Sequence, residues 1–244
     1  MALTLVLWSV NAVAVVGVCM AATQWHATST ASFLVVFLGY IGSSILLERL
    51  FYPAPSPRAQ PKAADHNALA LFNLLVASVF AMATAECHAR GLSRMSFGPA
   101  PSTAMLLLQV LGACVFENTI EYYWHRILHT RAMYTRIHKV HHHYKRPRPF
   151  DDMYMHPCEG MAYYWVLYGP PFVLPMHLHS FVVYMVLMGT FGLLDHSGVP
   201  VRIPFVYDTR DHDVHHTRVT YNYGFPFQLL DVVHGTYLPP KVLD

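Results

Sequence analysis

The stretch 117–142, ENTIEYYWHRILHTRAMYTRIHKVHH, joins the end of an apolar segment to a series of histidines. If the stretch is helical, His125 and His129 lie at positions i and i+4 on one face. Glu121 and Glu117 then lie one and two turns before His125. Neutral imidazoles grouped this closely can converge on one metal ion or on a pair of ions. Any function assigned to the chain has to account for this stretch.

Two further clusters have the spacing H-x-x-H-H. The first ends the stretch itself and the second lies far downstream, and their members are His138, His141 and His142, then His212, His215 and His216. One such cluster alone is weak evidence for a metal site. Three clusters in a chain whose other side chains are mostly apolar strongly favour one.

The composition is that of a membrane protein. Hydrophobic residues make up 54% of the 244 residues and charged residues only 12%, against a usual charged share of about 25%. The chain therefore has too little polar surface to cover a soluble globule. A net charge of +2 is too small to indicate a nucleic-acid partner, and the seventeen histidines are the unusual feature.

Four apolar runs are long enough to cross a bilayer, and they occupy residues 3–22, 31–47, 68–85 and 103–124. A cleaved signal peptide is the alternative for the first run, although no Lys or Arg precedes it. The runs predict an all-α fold, an integral membrane bundle of about four transmembrane helices. A cytosolic helical cap would hold a histidine-rich site for two metals.

Residues 161–194 are apolar but interrupted at Gly169, Pro170 and Pro171. They are compatible with a re-entrant hairpin, a helical hairpin or an interfacial segment. The sequence thus predicts a transmembrane region at 1–124 and a histidine-rich catalytic region at 125–244, joined in one integrated domain.

Lys and Arg residues indicate the orientation in the membrane. Seven of them lie between positions 126 and 148, whereas the loop after the third run carries only Arg90 and Arg94. The positive-inside rule places the histidine clusters on the cytosolic side.

The chemistry of the clusters excludes several metal sites. Arg126 follows His125, where a zinc protease of the H-E-x-x-H type needs a glutamate as general base. Eight imidazoles exceed the four ligands of one structural zinc ion, so two metals fit better. Imidazole suits iron, copper, nickel and zinc alike and argues against magnesium or calcium.

The order of the motifs resembles the fatty acid hydroxylase superfamily, which includes sterol desaturases and C-4 methylsterol oxidases. The resemblance covers about residues 117–238 and rests on H-R-I-L-H, H-K-V-H-H, H-P-C-E, D-H-S-G, H-D-V-H-H, Y-N-Y-G and D-V-V-H-G-T-Y.

The resemblance implies that the eight motif histidines are metal ligands, together with His196 of D-H-S-G and His156 of H-P-C-E. The eight are His125, His129, His138, His141, His142, His212, His215 and His216. Three carboxylates, Glu121, Glu159 and Asp195, are candidates for hydrogen bonds that orient ligand rings, and a solvated or capping role is the alternative for each.

The resemblance also implies the reaction and its partners. These are two iron ions, with zinc as an alternative in a purified state, and O₂ as co-substrate. The substrate would be a sterol or fatty-acyl lipid, hydroxylated or desaturated at a C–H bond. No flavin, dinucleotide or haem motif is found in the sequence, so electrons would come from cytochrome b5 and an NADH-linked reductase. The expected location is the endoplasmic reticulum membrane.

A metal transporter or sensor is the competing hypothesis. It predicts polar or ionisable residues along the membrane path. Only Glu117 and Glu121 lie near a predicted span, and the histidine clusters lie beyond the fourth run.

Overall fold

A computed structural model describes residues 26–52 and 60–240. The predicted run 3–22 lies outside the described residues. The α-helices, in chain order, are α1 (Ala27–Phe51), α2 (His66–Ala89), α3 (Thr103–Leu128), α4 (Arg131–Met133), α5 (Pro157–Leu167), α6 (Pro170–Val173), α7 (Leu178–Asp195), α8 (Thr209–Arg218) and α9 (Leu229–His234). A π-helical turn spans Tyr134–His138, and 3₁₀ turns span His141–His143 and Pro149–Met153.

Within residues 26–52 and 60–240, strand structure is limited to two pairs of two-residue strands. Strand β1 (Met95–Ser96) pairs in parallel with β2 (Met176–His177), and Met95 lies opposite Met176. Strand β3 (Arg202–Ile203) pairs antiparallel with β4 (Tyr207–Asp208).

Helices α1, α2, α3 and α7 are long and apolar enough to cross a membrane by length and composition. The predicted all-α bundle with about four membrane-length helices is confirmed, and α7 is a membrane-length helix that was not among the four predicted runs. Helices α1 and α2 extend the predicted runs at both ends, and α3 extends its run at the carboxyl end. Polar residues such as Glu48 and Arg49 continue α1, because they favour the helical conformation once a helix has started.

The sequence of α3 sets its ends. Ser102 precedes the helix, and its hydroxyl accepts a hydrogen bond from the Met105 amide at 3.3 Å, the usual way of satisfying a first-turn N–H. The helix continues past Trp124 to Leu128, and His129 caps its carboxyl end. The predicted helical spacing of His125 and His129 is therefore present at this end.

The directions of the long helices place the start of α1 beside the end of α2 and the start of α3 beside the start of α7. Helix α1 starts beside the end of α2, where the Ser29 hydroxyl donates to Glu86 at 2.7 Å. Strands β1 and β2 immediately precede α3 and α7, and they are parallel neighbours. Gln109 of α3 accepts a hydrogen bond from Ser180 of α7 at 2.7 Å. Helices α3 and α7 thus start together and carry their carboxyl ends toward the histidines.

Residues 157–195 contain the antiparallel helices α5 and α7, with the short helix α6 and strand β2 between them. Helix α5 begins at the histidine side, and its Leu167 carbonyl accepts from the Tyr184 hydroxyl of α7 at 3.0 Å. Its eleven residues rise only about 16 Å, less than the hydrocarbon thickness. How residues 161–194 sit in the membrane stays a prediction.

The buried core lies between α2, α3, α5 and α7, and it includes Val76, Ala113, Tyr164, Tyr184 and Met188. The opposite faces of the long helices expose large apolar side chains, such as Val35 at 71%, Leu108 at 63% and Val186 at 62% exposure. Apolar patches of this extent suit contact with lipid.

Candidate metal centre

Nine of the ten histidines predicted as ligands lie in two groups. Within each group, one ring nitrogen per residue lies within 4.8 Å of all the others. The first group contains His125, His129, His138, His142 and His215, and the second contains His141, His196, His212 and His216.

The two H-x-x-H-H clusters divide between the groups in opposite senses. His138 and His142, four residues apart, belong to the first group, whereas His141 between them points to the second. In helix α8, His212 and His216 belong to the second group and His215 to the first. In α8 the rings at i+3 and i+4 lie about 100° apart around the helix, so this cluster serves both groups.

The first cluster and His196 complete the groups from the ends of two long helices. His125 lies in the last turn of α3 and His129 caps it. His196 caps α7. The second cluster lies in a π-helical turn followed by a 3₁₀ turn instead of the regular helix predicted for it. This tight backbone turn carries His138, His141 and His142 into the centre.

Backbone carbonyls fix the protonation of several rings. The Nδ1 atoms of His125 and His215 lie 2.9 Å from the Tyr223 carbonyl and 2.7 Å from the Tyr221 carbonyl. His216 makes the same contact with the Tyr144 carbonyl at 2.9 Å. A carbonyl only accepts, so each Nδ1 carries the proton and donates. The Nε2 atom of each neutral ring then bears a lone pair.

Lone pairs of His125 and His138 face one another in the first group, because the Nδ1 atoms of both rings donate to other acceptors. The distance between Nε2 atoms is 3.1 Å for His125 and His138 and 3.1 Å for His142 and His215. His129 and His215 are separated by 3.2 Å between their Nε2 atoms. Two nitrogens without a proton between them repel at this distance unless a cation lies near both.

The second group repeats this arrangement. The Nε2 atom of His212 lies 3.0 Å from that of His196 and 3.0 Å from that of His216. The Nδ1 atom of His196 lies 2.9 Å from the Gly192 carbonyl and so donates to it.

The nitrogen spacing matches the edge of a metal coordination polyhedron. Two ligands at right angles, each about 2.1 Å from a metal, lie about 3.0 Å apart, whereas tetrahedral ligands lie about 3.4 Å apart. The observed range of 3.0–3.2 Å agrees better with right-angled coordination. The donor set in both groups therefore fits a bound transition metal ion.

Glu159 is the predicted carboxylate that contacts a ring of the groups. Its Oε1 accepts a hydrogen bond from His138 Nδ1 at 2.7 Å, the arrangement that orients ligand imidazoles and raises their basicity. Asp195 instead accepts a hydrogen bond from the Tyr207 hydroxyl at 2.6 Å. Glu121 lies against Glu117 on α3, while the Nδ1 of His125 donates to a carbonyl.

His156 belongs to neither group among the described residues. It precedes α5, and its Nδ1 accepts a hydrogen bond from the Cys158 amide at 3.2 Å. The ring therefore caps the helix that carries Glu159. Its prediction as a ligand rested on the resemblance of the H-P-C-E motif to the family.

Burial keeps five rings of the two groups neutral. Burial, with neighbouring imidazoles as the second cause, lowers the pKa of His142 to about 2. The same causes lower the pKa values of His141, His212, His215 and His216 well below the ordinary value. Neutral imidazoles are the form that binds metal, so these five rings are ready to bind at pH 7.

A cavity adjoins both groups. Its polar lining includes His125 and His138 of the first group, and His141, His196 and His212 of the second. Its other walls include Trp124, Leu128, Met155, Tyr163 and Phe225. A mainly apolar chamber with a few polar groups is typical of small-molecule sites.

Two aspartates that the sequence did not single out support the metal centre. Asp231 accepts hydrogen bonds from the amides of Tyr223 and Gly224 at 2.9 and 2.6 Å, which holds the segment whose carbonyls orient His125 and His215. Asp152 lies 3.4 Å from the His196 Nδ1. Asp231 lies in the D-V-V-H-G-T-Y motif, which was a signal, whereas no motif marked Asp152.

The profile of the family described as fatty acid hydroxylase matches residues 110–236. That range contains all nine grouped histidines. This chain belongs to the fatty acid hydroxylase family.

Three named proteins from other organisms are similar to this chain. The chain is 34% identical over 143 residues to lathosterol oxidase of Mus musculus, covering 57% of this chain and 48% of the relative. It is 35% identical over 146 residues to methylsterol monooxygenase 1 of Danio rerio, covering 56% and 49%. It is 33% identical over 159 residues to very-long-chain aldehyde decarbonylase GL1-8 of Oryza sativa subsp. indica, covering 60% and 59%.

The chain spans about half the length of the first two relatives, 48% and 49%. No solved structure matches it. The comparisons therefore establish the family and leave the activity of the chain to be proposed.

Proposed function

We propose that this chain is an O₂-dependent di-iron lipid oxidoreductase, a hydroxylase or desaturase that acts on a C–H bond of a sterol or fatty-acyl lipid. The observation that carries the proposal is the pair of imidazole groups, whose Nε2 atoms lie 3.0–3.2 Å apart beside a largely apolar cavity. The names of the sterol-acting relatives support the substrate class.

The nine histidines would hold two iron ions, with His125, His129, His138, His142 and His215 at one and His141, His196, His212 and His216 at the other. Bound iron supplies the activation of O₂ for attack on an unactivated C–H bond. Hydroxylation of R–H consumes O₂, two electrons and two protons, and it yields R–OH and water.

The protein's own residues orient the ligand rings, bind the substrate and exclude water. Carbonyls of Tyr221 and Tyr223 hold the rings of His215 and His125, and Glu159 holds that of His138. The apolar cavity wall admits a lipid chain and limits the access of water. The exposed apolar faces of the long helices support entry of the substrate from the bilayer.

The proposed function also includes an electron donor and a location in the cell. Two electrons per turnover would come from a separate donor such as cytochrome b5 with an NADH-linked reductase. The endoplasmic reticulum membrane is the proposed location, with the histidine groups on the cytosolic side, in line with the excess of Lys and Arg near them. The transporter alternative is disfavoured because the rings are fixed by carbonyl contacts instead of lining a path through the long helices.

The decisive experiment compares sterol and fatty-acid profiles of cells that lack the protein, restored with wild type, His215→Ala or His143→Ala. His143 is exposed and belongs to neither group, so its variant is the matched control. We expect wild type and His143→Ala to restore the profile and His215→Ala to fail. An unchanged lipid profile in every arm overturns the proposal, and loss of divalent-metal uptake in His215→Ala favours the transporter.

A further inference from the structure

Four buried polar atoms of residues that line the cavity have no hydrogen-bond partner among the described residues, namely the Nδ1 of His141, the Oε2 of Glu159, the Nε1 of Trp124 and the Oε2 of Glu121. His141 belongs to the second imidazole group and Glu159 orients the ring of His138, which leaves Trp124 and Glu121. Neither is a member of the imidazole groups. A buried donor or acceptor without a partner is uncommon in folded proteins and calls for an explanation.

The two atoms have complementary roles. An indole Nε1 carries a hydrogen and only donates, whereas a carboxylate oxygen accepts. A hydroxyl group accepts one hydrogen bond and donates another, so a single alcohol oxygen satisfies both atoms. A carbonyl would satisfy only Trp124, and a hydrocarbon would satisfy neither.

The other carboxylates of the cavity contact residues of the metal centre or its support. Asp152 accepts a hydrogen bond from the Tyr40 hydroxyl at 2.6 Å and lies near His196. Glu159 accepts from His138 at 2.7 Å through its Oε1 atom. Glu121 and Trp124 are therefore the cavity residues that have a buried atom without a partner and that neither belong to an imidazole group nor hold one of its rings.

We infer that the cavity binds a lipid alcohol, whose hydroxyl accepts a hydrogen bond from Trp124 and donates one to Glu121. This inference rests on the proposed lipid oxygenase function and narrows its substrate class.

The position of Trp124 and Glu121 restricts which carbon of the substrate can react. Trp124 is adjacent to His125 in α3, and Glu121 lies one turn before it, an axial distance of about 5–6 Å. A hydroxyl held there lies close to the imidazole groups. The C–H bond that reacts is therefore only a few bonds from the alcohol carbon, unlike a bond in the middle of a long acyl chain.

The test measures binding to the iron-loaded protein in lipid nanodiscs. The probes are 5α-cholestan-3β-ol and 5α-cholestane, which differ only in the hydroxyl, and the second pair is 1-octadecanol and octadecane. In wild type we expect at least one of the two alcohols to bind at least about tenfold more tightly than the matching hydrocarbon. The reason is that a bound hydrocarbon leaves the Trp124 N–H and the Glu121 oxygen without a hydrogen-bond partner.

Variants assign the preference to the two residues. Trp124→Phe keeps an aromatic ring without the N–H, and Glu121→Leu keeps a similar volume without the carboxyl. We expect each to lose most of the alcohol preference, and Glu121→Gln to retain part of it through its amide oxygen. Ile120→Val, an exposed position on the same helix, keeps the full preference.

Two results overturn the inference. One is a wild-type protein that binds hydrocarbon and alcohol equally or binds neither pair. The other is an alcohol preference that survives in both Trp124→Phe and Glu121→Leu. If His215→Ala still abolishes restoration of the lipid profile in cells, the proposed oxygenase function stands while the alcohol site fails.

Discussion

The Nε2 atoms of His142 and His215 lie 3.1 Å apart although 73 residues separate them in the chain. His142 follows the end of α3, and His215 lies in α8. This contact joins the two halves of the first imidazole group. A carbonyl fixes the proton of His215 on Nδ1, so the lone pair of its Nε2 atom faces His142.

Removal of His215 is expected to disrupt metal binding directly. In His215→Ala we expect the iron content to fall from about two ions per chain to about one or fewer, since metal affinity depends on the full ligand set. Metal analysis of the purified protein measures this. His143→Ala should keep the wild-type content, and equal iron in wild type and His215→Ala would contradict the assignment of His215 as a ligand.

Glu159 is expected to act through His138. Glu159→Ala removes the acceptor of the 2.7 Å hydrogen bond from the His138 Nδ1, and partners of this kind are typically worth about 10–100-fold in metal affinity or activity. Glu159→Gln retains an acceptor oxygen and should lose less.

A competition assay with a chelator of known affinity measures the effect of Glu159. Glu48→Gln is the control, because Glu48 pairs with Arg148 at 2.8 Å away from the imidazole groups. Wild-type affinity in Glu159→Ala would show that His138 does not need this partner.

Asp231 is expected to stabilise the segment that orients two rings. Asp231→Ala removes hydrogen bonds from Tyr223, Gly224 and Thr236. The thermal midpoint in detergent should fall, with a destabilisation of about 2–4 kcal/mol, because each lost bond to a charged group contributes about 1.5–3 kcal/mol and the losses overlap.

Thr236→Val provides the graded comparison for Asp231. It keeps the hydrogen bonds of Asp231 to Tyr223 and Gly224 and removes the 2.7 Å bond from the Thr236 hydroxyl to Asp231, together with the 3.0 Å contact of that hydroxyl with Tyr122, and it should lower the midpoint less. A larger effect from Thr236→Val than from Asp231→Ala would refute the proposed role of Asp231.

Asp208 is expected to give a pH-dependent contribution at the start of α8. Burial raises the pKa of Asp208, but hydrogen bonds from Arg210 outweigh burial and leave the pKa below its ordinary value. A depressed pKa contributes stability that is complete above the unfolded value of about 3.9 and disappears as the pH falls through the folded value.

Asp208→Asn isolates this charge, since asparagine also caps helices well. The difference in thermal midpoint between wild type and Asp208→Asn should be constant above about pH 5.5 and shrink below about pH 4. Thermal scans from pH 3 to 7 measure the difference. A gap that stays constant to pH 3 would exclude the charge of Asp208 as its source.

The helical spacing in the sequence predicted much of the centre. His125 and His129 share a face at the end of α3, and three clusters with helical spacing supplied eight of the nine grouped rings. The apolar runs predicted the bundle because length and hydropathy alone define a membrane-length helix. The predicted division of the chain at 124 and 125 stays a prediction.

Other features depended on contacts between distant residues. The division of His141 from His138 and His142 follows from a tight turn that no local pattern indicated. The partners of the rings are carbonyls and carboxylates from elsewhere in the chain, such as Tyr221, Tyr223 and Glu159. Backbone carbonyls carry no side-chain signal, so only the fold shows them.

By itself, the sequence determined which residue types are present and at what local spacing, and hence the helices, the ligand chemistry and the family. Tertiary structure decided which imidazoles share a group, which Nδ1 atoms carry the proton and which polar atoms face the cavity. The physical reason is that periodicity acts within a few turns of one helix, whereas a metal centre is made by side chains that meet only after α3, α7 and α8 have packed together.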